Sequence, residues 1–187
     1  MSRLLQYGGI AASVILIAFG IGSIVTGVNG RDRVHNDLAR EQIVGTPDST
    51  IPNQLVNNGS KAEAFAKVMR KHALEATGGQ TYAQMPRFMG KNGQPTNNEK
   101  AAAVDPKSGK PVDNPARNIW VTETALTTAL HSSYFAESVA TFAIVMGIAM
   151  ILTGGGFLVL TLGVMRKFAT ETKPKKAPAP GQVAVTS

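Results

Sequence analysis

Three histidines, His35, His72 and His131, are the side chains in this sequence best suited to chemistry, and His35 stands two positions before an aspartate, Asp37. His35-Asn36-Asp37 with the later His72 matches the letter pattern of a two-histidine, one-carboxylate triad. Such a triad holds non-haem iron and leaves coordination positions open for oxygen and substrate. A membrane-anchored non-haem iron enzyme built on His35, Asp37 and His72 is therefore one function class to test. The local spacing argues against it: two residues apart on a helix, His35 and Asp37 point about 200 degrees apart. No run of strands is predicted that would converge three ligands. His72 falls instead on the apolar face of a predicted helix, and His131 is expected to be solvated near the outer leaflet.

Other constellations are weaker. Glu123 and Glu137 lie 14 residues apart, about 21 Å along a helix, too far to act on one bond. Cysteine is absent, which removes thiol chemistry and disulfide staples. No G-x-S-x-G elbow occurs, and no glycine-rich loop follows a strand to cradle phosphate. Asn58-Gly59-Ser60 has the form of a glycosylation sequon. The expectation is a non-enzymatic chain with no catalytic residue, metal ligand or cofactor.

The elements that must position these residues begin with two uncharged runs, 27 residues between Arg3 and Arg31 and 28 between Glu137 and Arg166. About 20 apolar residues at 1.5 Å each cross the hydrocarbon core. The zero mean hydropathy of the whole chain is thus a cancellation of two lipid-soluble segments against a polar remainder. The first run is longer than a signal-peptide core and is followed by no clear cleavage site, so it reads as an uncleaved signal anchor. Arg166, Lys167, Lys173, Lys175 and Lys176 follow the second run against one acid, Glu171. By the positive-inside rule that end is cytoplasmic, and two crossings place the N-terminus inside as well. The same five cations set topology and are candidate contacts for anionic lipid. Arg31 and Arg33, at the outer end of the first run, run against this bias.

The chain then divides into a cytoplasmic N-terminus (1–6), a first transmembrane helix (7–28), an extracytoplasmic domain (29–137), a second transmembrane helix (138–165) and a basic tail of disordered composition (166–187). Residues 31–137 carry 13 basic and 11 acidic side chains. That near neutrality excludes an electrostatic surface for nucleic acid. No charge lies within either span, which removes the usual basis for a pump, ion pathway or voltage sensor.

Small residues four apart, Ala18 with Gly22, Ser23 with Gly27, and Ala143 with Gly147, mark candidate faces for helix packing. Gly154-Gly155-Gly156 in the second span is a candidate bend or close contact. Beyond the first span, Val34 and Leu38 extend the helix until GTPDSTIPN breaks it. Ser60-Lys61-Ala62-Glu63 reads as a capping box. Phe65, Val68, Met69, His72 and Ala76 then share one face, which Gly78 and Gly79 end.

Residues 80–118 are rich in Pro, Gly and Asn, with turn signals at Lys91-Asn92-Gly93 and Asp105 to Lys110; a loop with a short hairpin flanked by Val104 and Val112 is expected. From Asn118 the sequence runs without Pro or Gly into the second span, as one long helix with Leu126, Leu130 and Tyr134 every fourth residue. The fold class expected is an all-α membrane protein. Its two transmembrane helices extend outward into a small, mainly helical extracytoplasmic domain with an irregular Pro/Gly-rich loop or short hairpin. Tyr7, Tyr134 and Phe135 fit the membrane–water interface. Trp120 reads as a core or contact residue and, with Phe65 and Met69, forms the candidate partner contact.

The stretches LLQYGGIAASVILIAFGIGSIV, EQIVGTPD and NIWVTETALTTAL together resemble a family of two-pass membrane proteins of unknown function from high-GC Gram-positive bacteria. The resemblance covers nearly the whole chain and implies a plasma-membrane location without an established activity. Members sometimes carry the label of aromatic ring-opening dioxygenase, which the residue pattern above does not support. The leading expectation is an accessory or interaction protein. Its partners are the lipid bilayer and either another membrane protein or a second copy of itself. A binding module for a small envelope ligand is the further alternative.

Overall fold

The structure, a computed structural model, describes the backbone of residues 2–171 and the side chains of residues 7–163. Its elements are helix α1 (Ser2–Arg40), helix α2 (Gly59–Ala76), strands β1 (Phe88–Met89) and β2 (Pro95–Thr96), a 3-10 turn at Glu99–Ala101, and helix α3 (Ala116–Glu171). Two of these, α1 and α3, are long and apolar enough to cross a membrane. Only 11% of the most apolar window of each is buried, so neither is the core helix of a soluble protein. Phe19, Leu152 and Val159 are exposed along them. The cations Arg166, Lys167, Lys173, Lys175 and Lys176 lie outside the residues whose side chains are described.

The chain forms two compact units, one of Met1–Ile24 with Val145–Ser187 and one of Val25–Ile144. In the first unit α1 and α3 run antiparallel at very close range. A Cβ on Gly20 would stand 2.7 Å from the Gly147 carbonyl oxygen, and a Cβ on Gly147 would stand 2.6 Å from that of Gly20. Gly154 faces Ser13 in the same way, and Gly9 faces Thr161. The buried Ser13 hydroxyl is satisfied within its own helix, donating to the Gly9 carbonyl at 2.8 Å.

Contact therefore follows a seven-residue repeat, Ser13 and Gly20 on α1 against Gly147, Gly154 and Thr161 on α3. That is the spacing of an apolar seam in a left-handed helix pair, here narrowed by small residues. Of the packing positions expected from four-residue spacing, Gly147 lies in the seam, whereas Ala18 is exposed and a Cβ on Gly22 meets nothing. Ser23 is half-buried. In the glycine triplet only Gly154 is in contact, and α3 continues through it without a break.

In the second unit Gly27 approaches Ala140 as closely, with Ala143 half-buried on the same helix. The core gathers Leu38, Val56, Phe65, Val68 and Leu130 from both long helices, α2 and the loop before it. Full burial of side chains of this size contributes roughly 1.5–3 kcal/mol each. A second cluster joins Trp120 to Ala73 and Met85.

Helix α2 starts earlier than the sequence suggests. Asn58, extended at φ −153°, is its N-cap and accepts from the Lys61 N–H at 2.9 Å, while Glu63 pairs with Lys67. The cap thus lies two residues before the expected Ser60, and Glu63 pairs along the helix instead of closing a capping box. Gly78 and Gly79, both at positive φ, end the helix, and the Gly79 N–H returns to the Leu74 carbonyl.

The two-stranded hairpin forms at the earlier turn, where β1 and β2 pair antiparallel around Lys91-Asn92-Gly93; at the Asp105 turn, the place expected for it between Val104 and Val112, a single bridge joins Val104 to Pro111.

Candidate functional site

Within the second unit, Glu137 joins residues from three helices. One carboxylate oxygen accepts from His35 Nε2 at 3.0 Å and lies 3.4 Å from Arg31 Nε. The other accepts the backbone N–H of Gly59, in the first turn of α2. A carboxylate there also complements the positive end of the helix dipole. Burial pushes the Glu137 carboxyl up, but the His35 and Gly59 hydrogen bonds and the Arg31 charge outweigh it, leaving the carboxyl below its ordinary value. One acid thus holds three elements: α1 through His35 and Arg31, α2 through Gly59, and its own helix α3.

A second acid, Asp48, ties the loop after α1 to the outer face of α2. It accepts from Lys71 Nζ at 2.9 Å and His72 Nε2 at 3.0 Å on one oxygen, and from Thr46 at 2.8 Å on the other. Lys71 first, then His72 and Thr46, hold its carboxyl well below the usual carboxylate range.

These contacts separate the three residues of the iron reading. His35 is bound to Glu137, Asp37 to Arg40 at 3.2 Å, and His72 to Asp48. Among the described residues no group of three His, Asp or Glu side chains is placed to hold a metal ion. Glu123 and Glu137 likewise have separate partners, Thr124 for the first and His35, Arg31 and Gly59 for the second. His131 is exposed.

The proposed contact residues turn mostly inward. Trp120 is 4% exposed, with its indole N–H donating to the Gln80 carbonyl at 2.9 Å, and the Arg70 guanidinium stands over its ring. Phe65 is in the main core. Met69 is half-buried, and it borders the largest concavity described, a groove of about 510 Å³ between α2 and α3 that is open to solvent.

The groove walls are helical stripes: Met69, Ala73 and Ala76 from α2 face Ile119, Thr122 and Leu126 from α3. Glu123 also lines it, only 8% exposed. Its hydrogen bond is with the hydroxyl of the neighbouring Thr124, at 3.3 Å. Sequence reasoning missed Glu123 as a groove residue and Glu137 as a junction, since neither belongs to a local motif. No protein-family model, curated protein or solved structure matches this chain.

Proposed function

We propose that this chain is a non-enzymatic two-pass plasma-membrane protein, with both termini cytoplasmic and residues 29–137 on the outer face. It acts as an accessory or interaction protein through the α2–α3 groove. The groove carries this reading: it is mostly apolar, accessible and walled by two helices that also supply Phe65, Val68 and Leu130 to the core. Pockets of about 300–1,000 Å³ with a few polar groups in an apolar wall are the usual form of a recognition site. The two long apolar helices support the membrane setting, and the basic residues after the second span support the orientation. The separate commitments of His35, Asp37 and His72 weigh against the iron enzyme.

Site-specific photo-crosslinking in native membranes tests the reading. A photoreactive side chain at Ile119, in the groove, is expected to give a discrete adduct, and one at the exposed Thr128 is not. Repeated recovery of an unmodified monomer from the Ile119 variant would contradict it. A second reading, a binding module for a small envelope ligand, is favoured by the buried Glu123 carboxylate within the groove.

A further inference from the structure

We propose that the α2–α3 groove is a binding site for a primary ammonium carrying a short apolar body. The ammonium sits on the Glu123 carboxylate and the hydrocarbon lies along Met69, Ala73, Ile119 and Leu126. The inference rests on the ligand-binding reading of the groove and names the class of its ligand.

Three observations carry it. The first is the charge. A buried carboxylate is stable when paired or well hydrogen-bonded, yet Glu123 is 8% exposed and holds only the Thr124 hydroxyl, at 3.3 Å. Among the described residues no Lys, Arg or His forms an ion pair with it.

The second is that four cations on the helices beside the groove are engaged elsewhere. Lys71 and His72 are on Asp48, and Arg70 lies over the Trp120 ring. Arg117 stacks on Tyr82 and donates to the Met85 carbonyl. His72, the one cationic side chain in the described lining, is itself held on Asp48, so the lining supplies no counter-charge to Glu123.

The third is the lining. Aliphatic side chains from both helices form most of the wall, and its volume of about 510 Å³ accommodates a small organic molecule. An anion would meet the Glu123 charge, and a neutral hydrocarbon would leave that charge buried and uncompensated. A quaternary ammonium is recognised chiefly by aromatic faces, and the described lining holds no Phe, Tyr or Trp. A primary ammonium has N–H donors for the carboxylate and meets each condition.

The test uses the full chain in nanodiscs, labelled with 15N-tryptophan. Trp120 is the only tryptophan, so one indole resonance reports from the helix turn that carries Ile119 and Glu123. Titration with n-hexylammonium is expected to shift it saturably, with hexanol, hexanoate and hexyltrimethylammonium clearly weaker. Glu123→Gln keeps the side-chain shape, removes the charge and is expected to weaken hexylammonium about tenfold or more, the usual scale for a hydrogen bond to a charged group.

Ala76→Leu fills the groove from an exposed helix position and is expected to weaken all four probes without disturbing the apo spectrum. The proposal is overturned if hexylammonium gives no saturable shift, if hexanol or hexanoate binds as tightly, or if both variants bind hexylammonium like the parent protein. Failure of this titration with a positive crosslink from Ile119 would overturn the ligand class and leave the interaction reading standing.

Discussion

Gly20 and Gly147 meet backbone to backbone, each so close that a Cβ on one would stand within 2.7 Å of the other's carbonyl oxygen. Neither position has room for a side chain, so Gly20→Leu or Gly147→Leu must push the two helices of the first unit apart. The expected loss is about 1–3 kcal/mol, the range for overpacking, with the upper end favoured because backbone blocks the added atoms. Gly22→Leu, whose Cβ meets nothing, is expected to be close to neutral. Unfolding by a steric trap, or the temperature at which the purified protein loses helix signal, separates the two outcomes.

The seven-residue repeat of the first unit was present in the sequence as Ser13 and Gly20, and as Gly147, Gly154 and Thr161. A search for small residues four apart selects one face per pair and so picks Ala18 and Gly22, which are exposed. A long antiparallel contact returns to the same face every seven residues, and only that longer period identifies the seam. The two long apolar helices and the extension of α1 past Arg31 were legible because they rest on local composition and periodicity. So were the unbroken run of α3 from Ala116 and the Gly93 turn.

Glu137 was not legible. Its partners His35 and Gly59 are 102 and 78 residues away, and no spacing rule links them. The start of α2 also lies two residues before the expected Ser60, at the Asn58 cap. Asn58 takes the Lys61 N–H, Glu137 takes the Gly59 N–H, and Glu63 pairs with Lys67 instead of turning back to Ser60.

Glu137→Gln retains the size of the side chain and removes the charge shared with His35 and Arg31. Exchange of the amides at the beginning of α2 is expected to accelerate about tenfold, in keeping with a hydrogen bond to a charged group. Amides in the last turn of α2, held by the Thr77 and Gly79 cap, serve as the internal control. Equal exchange at both ends in parent and variant would show that Glu137 does not anchor this helix.

The position of the cap is itself testable. Asn58→Ala removes the acceptor of the Lys61 N–H and is expected to cost about 1 kcal/mol. Ser60→Ala is expected to change stability by less than about 0.5 kcal/mol, as an ordinary exposed substitution. Denaturant unfolding of both variants beside the parent decides the assignment. The reverse order would return the cap to Ser60.

Asp48 predicts a specific acid response. Its folded-state carboxyl is depressed, so the stability it contributes is fully present above the ordinary aspartate value of about 4 and is lost as pH falls through the lower folded value. In a carbon-13 NMR titration the Asp48 carboxyl is expected to show no inflection between about pH 3 and 5, where free aspartate titrates. Lys71→Met, which removes the first of its cationic partners, should move the inflection up toward that range. An ordinary titration in the parent protein would contradict the Lys71 and His72 pairing.

The absence of cysteine suits the chain to the measurement that bears most directly on the proposed two-pass topology, with residues 29–137 at the outer face. A single cysteine is placed either at Ser108, in the exposed Asp105 turn, or at Thr186 in the basic tail. Intact cells are then treated with a membrane-impermeant maleimide. Labelling of Ser108→Cys before permeabilisation and of Thr186→Cys only after it is the predicted result. The opposite pattern, with the tail labelled in intact cells and Ser108→Cys protected, would contradict it.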